Sequence, residues 1–281
     1  MTNEMYPCIW FDGQAKEAAE FYCSVFNNSK ITTNTPMVVM FEIEGKKIMG
    51  LNGGPMFKIT PAISFFVSCE SVQEIDDTWK KLSEGGSAMM PLDKYPWAEK
   101  YGWVKDKFGM TWQLMLTQSP MDNQKIKMSF LFVGEQYGKA KQAVEEYTSL
   151  FPGSSIQSMQ HYVAGEGDPQ MVGTLKFGDF TLKDVQFAAM DGFGNHEFKF
   201  TEGLSIVVDC ETQEEIDHYW KRLTEGGEES MCGWLKDKYG VSWQVIPKIL
   251  GSLMSDPGKA GNVMKEIMKM KKLDIEKLVN A

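Results

Sequence analysis

Two stretches of the sequence are close copies of each other: GWVKDKFGMTWQ at residues 102–113 and GWLKDKYGVSWQ at residues 233–244. Eight of these 12 positions are identical. A second pair of stretches, residues 57–86 and residues 198–227, is identical at 16 of 30 positions, where unrelated sequences would share roughly two. The sequence therefore contains an internal duplication.

The spacing of the two matches sets the boundaries of the copies. The offset is 141 residues for the longer match and 131 residues for the shorter one, so the first copy carries ten extra residues between Gly86 and Gly102. A period this long indicates duplicated domains and not a solenoid of short repeats. We expect a first domain over residues 1–120, a second domain over residues 125–250 and a C-terminal helical tail over residues 256–281.

Composition excludes several classes of protein. The 281 residues are 43% hydrophobic and 24% charged, which is typical of a globular protein. The net charge of −9 does not favour binding to nucleic acid, which typically requires a basic surface, or to an anionic membrane surface. No apolar run reaches the length of a transmembrane helix, and residues 1–11 do not resemble a signal peptide. The five cysteines form no C-x-x-C pair, so reduced thiols in a cytoplasm are expected.

Within each copy the hydrophobic pattern predicts a strand, a helix and two or three strands, and then the same order again. The capping box Ser71-x-x-Glu74 predicts the start of a helix, and Thr212-x-x-Glu215 repeats it in the second copy. The repeated K-D-K-x-G favours a hairpin turn, with glycine at positive φ, over a phosphate-binding loop. The whole chain is therefore expected to contain four β-α-β-β-β modules.

Three motifs carry a resemblance to a known family: WFDGQAKEAAEFY at residues 10–22, GLNGGPMFKITPAISF at residues 50–65, and the two GW-x-KDK-x-G-x-x-WQ stretches. The sequence resembles the PhnB-like family, whose older label is 3-demethylubiquinone-9 3-methyltransferase, of the glyoxalase/bleomycin resistance/dioxygenase (vicinal oxygen chelate) superfamily. The resemblance implies an α+β fold with tandem glyoxalase-like domains. Each domain would consist of two βαβββ modules whose sheets curl around a cleft.

The same resemblance implies where a metal would bind, and the residues there depart from the expected type. Metal-using members of the superfamily take His, Glu or Gln ligands from the first and last strands of each module. The residues near those positions here are Cys8, the segment Ala62-Ile63-Ser64, Gln113, Gln244, Asn52 and Asp191. Neutral amides and a single thiol suit a divalent ion poorly, so we expect no metal and no cofactor. The three histidines, His161, His196 and His218, are expected at the surface.

Strand alternation predicts which side chains line the first cleft. If Gln113 points inward, Thr111 and Met115 share its face, while Trp112, like Trp243 in the second copy, points towards a helix. The candidate ligand-binding residues are Asn52, Gln113, Met49, Met115, Tyr95, Trp97, Asp191 and Gln244. The alternative is that the two amides are structural polar groups that bind nothing.

The ten extra residues of the first copy are rich in aromatic side chains, including Tyr95 and Trp97. Exposing such a segment to water is unfavourable, so it is expected to cover something. A lid over the first cleft and an arm against the other copy both fit. In the tail, a helix starting near Asp256-Pro257 presents an apolar stripe and a lysine-rich face, and is expected to pack onto the protein rather than a membrane.

Two classes of function fit these observations. The first is a metal-dependent glyoxalase-like isomerase, lyase or dioxygenase. The second is a protein that binds a small organic molecule in a cleft without a catalytic metal, and the ligand positions favour it. The methyltransferase label has no support in the sequence, because no G-x-G-x-x-G turn for an adenosyl cofactor is present. The expected partner is a small-molecule ligand, with no nucleic acid and no membrane, and the chain is expected to be a monomer or a weak homodimer.

Overall fold

A computed structural model describes residues 5–117 and 125–281. Its elements follow the predicted order of strand, helix and three strands. The first module consists of β1 (Met5–Phe11), α1 (Ala15–Val25), β2 (Lys30–Asn34), β3 (Val38–Ile43) and β4 (Lys46–Asn52). The second consists of β5 (Ile63–Cys69), α2 (Val72–Ser83), β6 (Ser87–Tyr95), β7 (Ala98–Lys105) and β8 (Thr111–Leu116).

The second copy repeats this order. The third module consists of β9 (Ile126–Phe132), α3 (Ala140–Leu150), β10 (Ser155–His161), β11 (Leu175–Leu182) and β12 (Val185–Asp191). The fourth consists of β13 (Leu204–Cys210), α4 (Gln213–Thr224), β14 (Glu228–Glu229), β15 (Trp234–Lys236) and β16 (Ser242–Pro247). The tail holds α5 (Leu250–Ser255), α6 (Ala260–Ile267) and α7 (Ile275–Val279). The predicted α+β class with two βαβββ modules in each copy is confirmed.

The described chain forms two compact units, residues 7–204 and residues 205–281 together with Met5 and Tyr6. The larger unit contains an eight-stranded sheet in the order β10-β11-β12-β9-β5-β8-β7-β6 and a second group of strands in the order β1-β4-β3-β2. The smaller unit contains β14-β15-β16-β13.

The centre of the eight-stranded sheet joins the two sequence copies. β5, from the first copy, runs antiparallel to β9, from the second, with Ser64 directly opposite Ser129. Each copy thus supplies four strands and covers the edge that the other would leave open. The duplication therefore lets one chain build a sheet that neither copy can build alone.

The repeated K-D-K-x-G forms a hairpin turn, as predicted, and it orients the strand that follows. Gly109 has a φ of +90°, and the Asp106 carboxylate accepts hydrogen bonds from the Met110 amide (3.0 Å) and the Trp112 indole (2.8 Å). Trp112 is fully buried, with its ring 5.1 Å from that of Tyr22 in α1. Because alternate residues of a strand face opposite sides, Gln113 faces away from the helices.

The two predicted capping boxes are confirmed. The Ser71 hydroxyl accepts from the Glu74 amide at 3.2 Å, and the Thr212 hydroxyl accepts from the Glu215 amide at 3.3 Å. Each bond satisfies one of the amides that the first turn of a helix leaves without an intrahelical partner.

The aromatic-rich insertion of the first copy is a long hairpin, β6 and β7, and not an irregular loop. The matching strands of the second copy, β14 and β15, have only two and three residues. The ten extra residues therefore lengthen the edge strand β6 and its neighbour β7, whose backbone hydrogen bonds to each other compensate for their exposure.

The tail packs within the smaller unit, as predicted, although its first helix begins earlier than expected. α5 starts at Leu250, and the segment around Asp256-Pro257 separates it from α6. The Gln213 amide holds the end of the tail by donating to the Leu273 carbonyl (3.1 Å) and accepting from the Ile275 amide (2.9 Å). In the described part of the chain, no helix is long and apolar enough to cross a membrane.

Candidate functional site

One face of the eight-stranded sheet carries several buried polar side chains. Strand register places Ser129 beside Ala188, and Ala188 beside Asp179. Ser64 lies opposite Ser129, and Gln113 lies opposite Trp103 on β7. Residues directly opposite each other share a face, so all these side chains point away from the helices.

Gln113 is the centre of a hydrogen-bonded cluster on this face. Its Nε2 donates to the Ser64 hydroxyl at 2.7 Å and lies 3.4 Å from the Ser129 hydroxyl. Its Oε1 accepts from the Tyr101 hydroxyl at 2.7 Å. Gln113 is 4% exposed and the two serines are each 1% exposed. The cluster is neutral and links three strands, β5, β8 and β9, to the long hairpin.

The aromatic rings of the hairpin stand next to this cluster. Tyr95 and Trp97 stack with ring centroids 5.0 Å apart, and both rings contact Tyr101, at 5.7 and 5.8 Å. Trp97 remains 55% exposed. Burial, and to a smaller extent the nearby Tyr95, raises the pKa of Tyr101 well above its usual range, so its hydroxyl stays protonated and donates.

A buried ion pair lies on the same face. Lys127 on β9 pairs with Asp179 on β11, and the two side chains are only 10% and 11% exposed. The Lys127 ammonium also lies 5.2 Å from the ring centroids of Phe66 and Phe177. Because the two charges cancel, the pair adds polarity to this part of the face without adding net charge.

Three buried polar atoms of this face have no hydrogen-bond partner among the described residues: Trp103 Nε1, Thr111 Oγ1 and Asp179 Oδ2. Buried polar atoms are normally paired with protein or with water. These three atoms therefore lack the partner that a buried polar atom usually has.

Two of the predicted ligand-binding residues accept hydrogen bonds from amides at helix starts. Asn52 ends β4, and its Oδ1 accepts from the Ala15 amide (2.9 Å) at the first residue of α1. Asp191 ends β12, and its carboxylate accepts from the Gly138 amide (2.8 Å) and the Ala140 amide (3.2 Å) at the start of α3. Burial raises the pKa of Asp191, and its backbone hydrogen bonds oppose that rise.

The remaining predicted residues divide between different places. Met115 shares the face of Gln113 and lies opposite Tyr101, whereas Met49 lies on β4, paired with Cys8. Gln244 belongs to the smaller unit, where its Nε2 donates to the Ser205 hydroxyl at 2.9 Å. The structure brings together Gln113, Met115, Tyr95 and Trp97. Asn52 and Met49 lie on β4, Asp191 ends β12, and Gln244 lies on β16.

The three histidines differ in exposure: His218 is exposed, as expected, and His196 is half-buried. His161, expected on a surface loop, is half-buried at the end of β10 and lies close to Asp191. Burial, together with the nearby Glu74 charge, raises the pKa of Cys69 to about 12, so this thiol is not a ready nucleophile. The described residues contain no group of three or more His, Cys, Asp or Glu side chains suited to a metal ion.

Sequence reasoning did not identify Ser129, Tyr101, Lys127 or Asp179. Ser64 had a visible signal, because Ser205 occupies the matching position in the longer repeat. Lys127 and Asp179 gave no such signal in the sequence, because they are 52 residues apart and the order of strands in the sheet brings them into contact.

Four β-α-β-β-β modules, two of them joined edge to edge through their first strands, define a glyoxalase-like fold. The fold is similar to that of glyoxalase I from Zea mays, with a TM-score of 0.56, 10% sequence identity, and coverage of 90% of this chain and 95% of that chain. At that identity the similarity shows the fold alone.

The family model described as 3-demethylubiquinone-9 3-methyltransferase matches residues 3–115 and 124–246. The chain therefore belongs to this PhnB-like family and carries two copies of its unit. A PhnB protein from Bacillus cereus, described by the same methyltransferase name, is 36% identical, with a TM-score of 0.37 and coverage of 39% of this chain and 96% of that chain. A protein from Pseudomonas aeruginosa is 23% identical, covering 41% and 97%, with a TM-score of 0.36. A comparison with curated proteins gives no match.

The superfamily's metal does not fit the residues of this face. Phe66, two residues after Ser64, pairs with Gln113 on the last strand of its module. In the same way Leu131, two residues after Ser129, pairs with Met190. The four equivalent first-strand and last-strand positions therefore hold Ser64, Gln113, Ser129 and Met190. These supply two hydroxyls, an amide and a thioether, with no carboxylate or imidazole. The Gln113 Nε2, a donor, is turned towards both serines. A divalent ion would meet hydrogen-bond donors rather than anionic ligands.

Proposed function

We propose that the face of the eight-stranded sheet around Gln113 binds a small, partly apolar organic molecule without a catalytic metal. The supporting observation is the neutral cluster of Gln113, Ser64 and Ser129, set among aromatic and methionine side chains. Ligand sites commonly combine a mainly apolar lining with a few fixed polar groups. Here Tyr101 and the serines fix the amide, while Met115 and the Tyr95–Trp97 stack supply apolar surface.

Gln113 matters to this proposal because its two amide atoms are already oriented. A ligand that replaces water here meets hydrogen-bonding groups whose rotamers are fixed before it arrives, which reduces the entropy lost on binding. Methionine and aromatic walls accept varied ligand shapes, so affinities of the order of micromolar are expected.

The test is a thermal-shift screen of metabolite-like compounds on the native chain, followed by calorimetry of the strongest hit. Gln113→Leu removes the amide at nearly constant volume, and Gln244→Leu is the matched control, because Gln244 makes the same amide-to-serine contact in the smaller unit. We expect Gln113→Leu to lose about 1–3 kcal/mol of stability, through the unpaired Tyr101 and Ser64 hydroxyls, and to bind the hit at least tenfold more weakly.

Equal binding by the native chain and the Gln113→Leu variant would refute the proposal. If that variant does not fold, Tyr101→Phe deletes one hydroxyl from the same cluster and must itself weaken binding. Metal analysis of protein purified without chelators addresses the metal-dependent alternative, since one equivalent of retained zinc, nickel or iron would revive it.

We further propose that the chain works in a reducing, cytoplasmic environment as a monomer or a weak dimer, without nucleic acid or membrane partners. No disulfide joins the described cysteines, and the net charge is −9. A mass of about 31.8 kDa in light scattering would support a monomer. A dimer that persists at micromolar concentration would contradict the proposal of a monomer or a weak dimer.

A further inference from the structure

Several hydrogen-bond donors in the polar cluster around Gln113 have no acceptor among the described residues. Gln113 Nε2 donates to the Ser64 hydroxyl (2.7 Å) and towards the Ser129 hydroxyl (3.4 Å), so both serine oxygens act as acceptors. The hydroxyl protons of these two serines then have no acceptor among the described residues. Both side chains are 1% exposed, so bulk water does not readily take these protons.

Two more groups on the same face are unsatisfied. The Trp103 indole Nε1 and the Thr111 hydroxyl are buried without a partner among the described residues. Trp103 lies directly opposite Gln113 in the strand register, and Thr111 lies two residues before it on β8. An indole nitrogen can only donate.

The amide oxygen of the cluster already accepts one hydrogen bond. Gln113 Oε1 accepts from the Tyr101 hydroxyl at 2.7 Å. The cluster thus presents up to four donors, from Ser64, Ser129, Thr111 and Trp103, and a buried donor without an acceptor is unfavourable. A group that brings oxygen lone pairs and no protons would supply the acceptor that these donors lack.

We propose that this cluster receives the oxygen acceptor of an organic ligand, a carbonyl or carboxylate group, placed among Ser64, Thr111 and Trp103. The inference rests on the proposed function and specifies the chemistry of its ligand. It also selects against ligands: an ammonium or other donor-only group offers these donors no lone pair, and a hydrocarbon would leave them unpaired.

The experiment compares four probes of similar size that differ in one group: acetophenone, benzoate, ethylbenzene and benzylamine. Each is titrated into the native chain, labelled with ¹⁵N, while the indole resonances of its eight tryptophans are recorded. Trp103→Phe assigns the Trp103 signal. Trp112 and Trp243 are internal controls, because their indoles already donate to Asp106 and Asp237 at 2.8 Å.

We expect acetophenone, benzoate or both to bind at least tenfold more tightly than ethylbenzene and benzylamine, and to shift the Trp103 indole proton downfield. The control indoles should keep their positions. In the Ser64→Ala variant the preference for the acceptor-bearing probes should fall by about threefold or more. A Trp103 signal that moves only with acceptor-bearing probes supports the inference, and the relative affinities of acetophenone and benzoate identify the preferred group.

Two results would overturn it, and they differ from failure of the proposed function. Binding of ethylbenzene or benzylamine at this face as tightly as acetophenone and benzoate would refute the acceptor preference while leaving a ligand site in place. Binding of no probe, together with no hit in the thermal-shift screen, would remove the site itself.

Discussion

Replacing Asp106 by alanine should destabilise the larger unit by an amount that the local geometry sets. The carboxylate, 3% exposed, accepts from the Phe108 amide (2.8 Å), the Met110 amide (3.0 Å) and the Trp112 indole (2.8 Å). Phe108 is half-buried and its amide can turn to water, whereas Met110 and Trp112 are fully buried. Two donors would therefore be left unpaired in the core.

Each unpaired buried donor costs about 1–3 kcal/mol, giving a range of about 2–6 kcal/mol for the two. Removing Asp106 also relieves the cost of burying a carboxylate, since burial raises its pKa against the opposing hydrogen bonds. We therefore expect Asp106→Ala to lower the free energy of unfolding by about 2–4 kcal/mol.

Urea unfolding, followed by circular dichroism and tryptophan fluorescence, measures this loss. Asp237→Ala is a matched variant in the smaller unit, where the carboxylate meets the Tyr239 amide (2.9 Å), the Val241 amide (3.0 Å) and the Trp243 indole (2.8 Å). A loss below about 1 kcal/mol for Asp106→Ala would show that the turn holds without its carboxylate, and the reasoning would fail.

Three further predictions follow from the described contacts. Burial raises the folded-state pKa of Asp106 above its ordinary value of 3.8. The stability of the native chain relative to Asp106→Asn should therefore fall as the pH rises from that ordinary value through the folded-state pKa. A relative stability of the native chain that grows over this pH range would contradict the prediction. Asp179→Asn should lower the free energy of unfolding in urea by about 3–5 kcal/mol, because it leaves the Lys127 ammonium buried without its counter-charge. The double variant Lys127→Met with Asp179→Leu should recover most of that loss. Equal stability of the single and double variants would argue against a buried ion pair. A fragment of residues 1–122 exposes the β5 edge that β9 covers in the full chain, so it should pair or aggregate in light scattering, and a folded monomer would contradict the joint sheet.

Much of the fold was accessible from the sequence because it depends on local signals. The capping boxes at Ser71 and Thr212, the turn at Gly109 and the alternation around Trp112 each reflect contacts between residues close in the chain. The repeat then showed that each signal occurs twice. Hydrophobic patterns and turn rules detect local preferences of this kind, between residues that are close in the sequence.

The candidate site was only partly accessible. Alternation placed Gln113 and Met115 on one face, but Asn52 and Asp191 also looked like cleft residues, because polar residues at strand ends suit either a ligand or a helix start. Their hydrogen bonds to Ala15 and Ala140 became visible only with the path of the chain.

By itself, the sequence determined the duplication, the order of elements in each module and the face on which Gln113 lies. Only the tertiary structure decided that β5 pairs with β9, which sets Ser64 against Ser129 beneath Gln113 and brings Lys127 to Asp179. The physical reason is that a strand's own pattern states which face is buried but not which strand will pair with it. That choice depends on the summed burial and hydrogen bonding of the whole sheet.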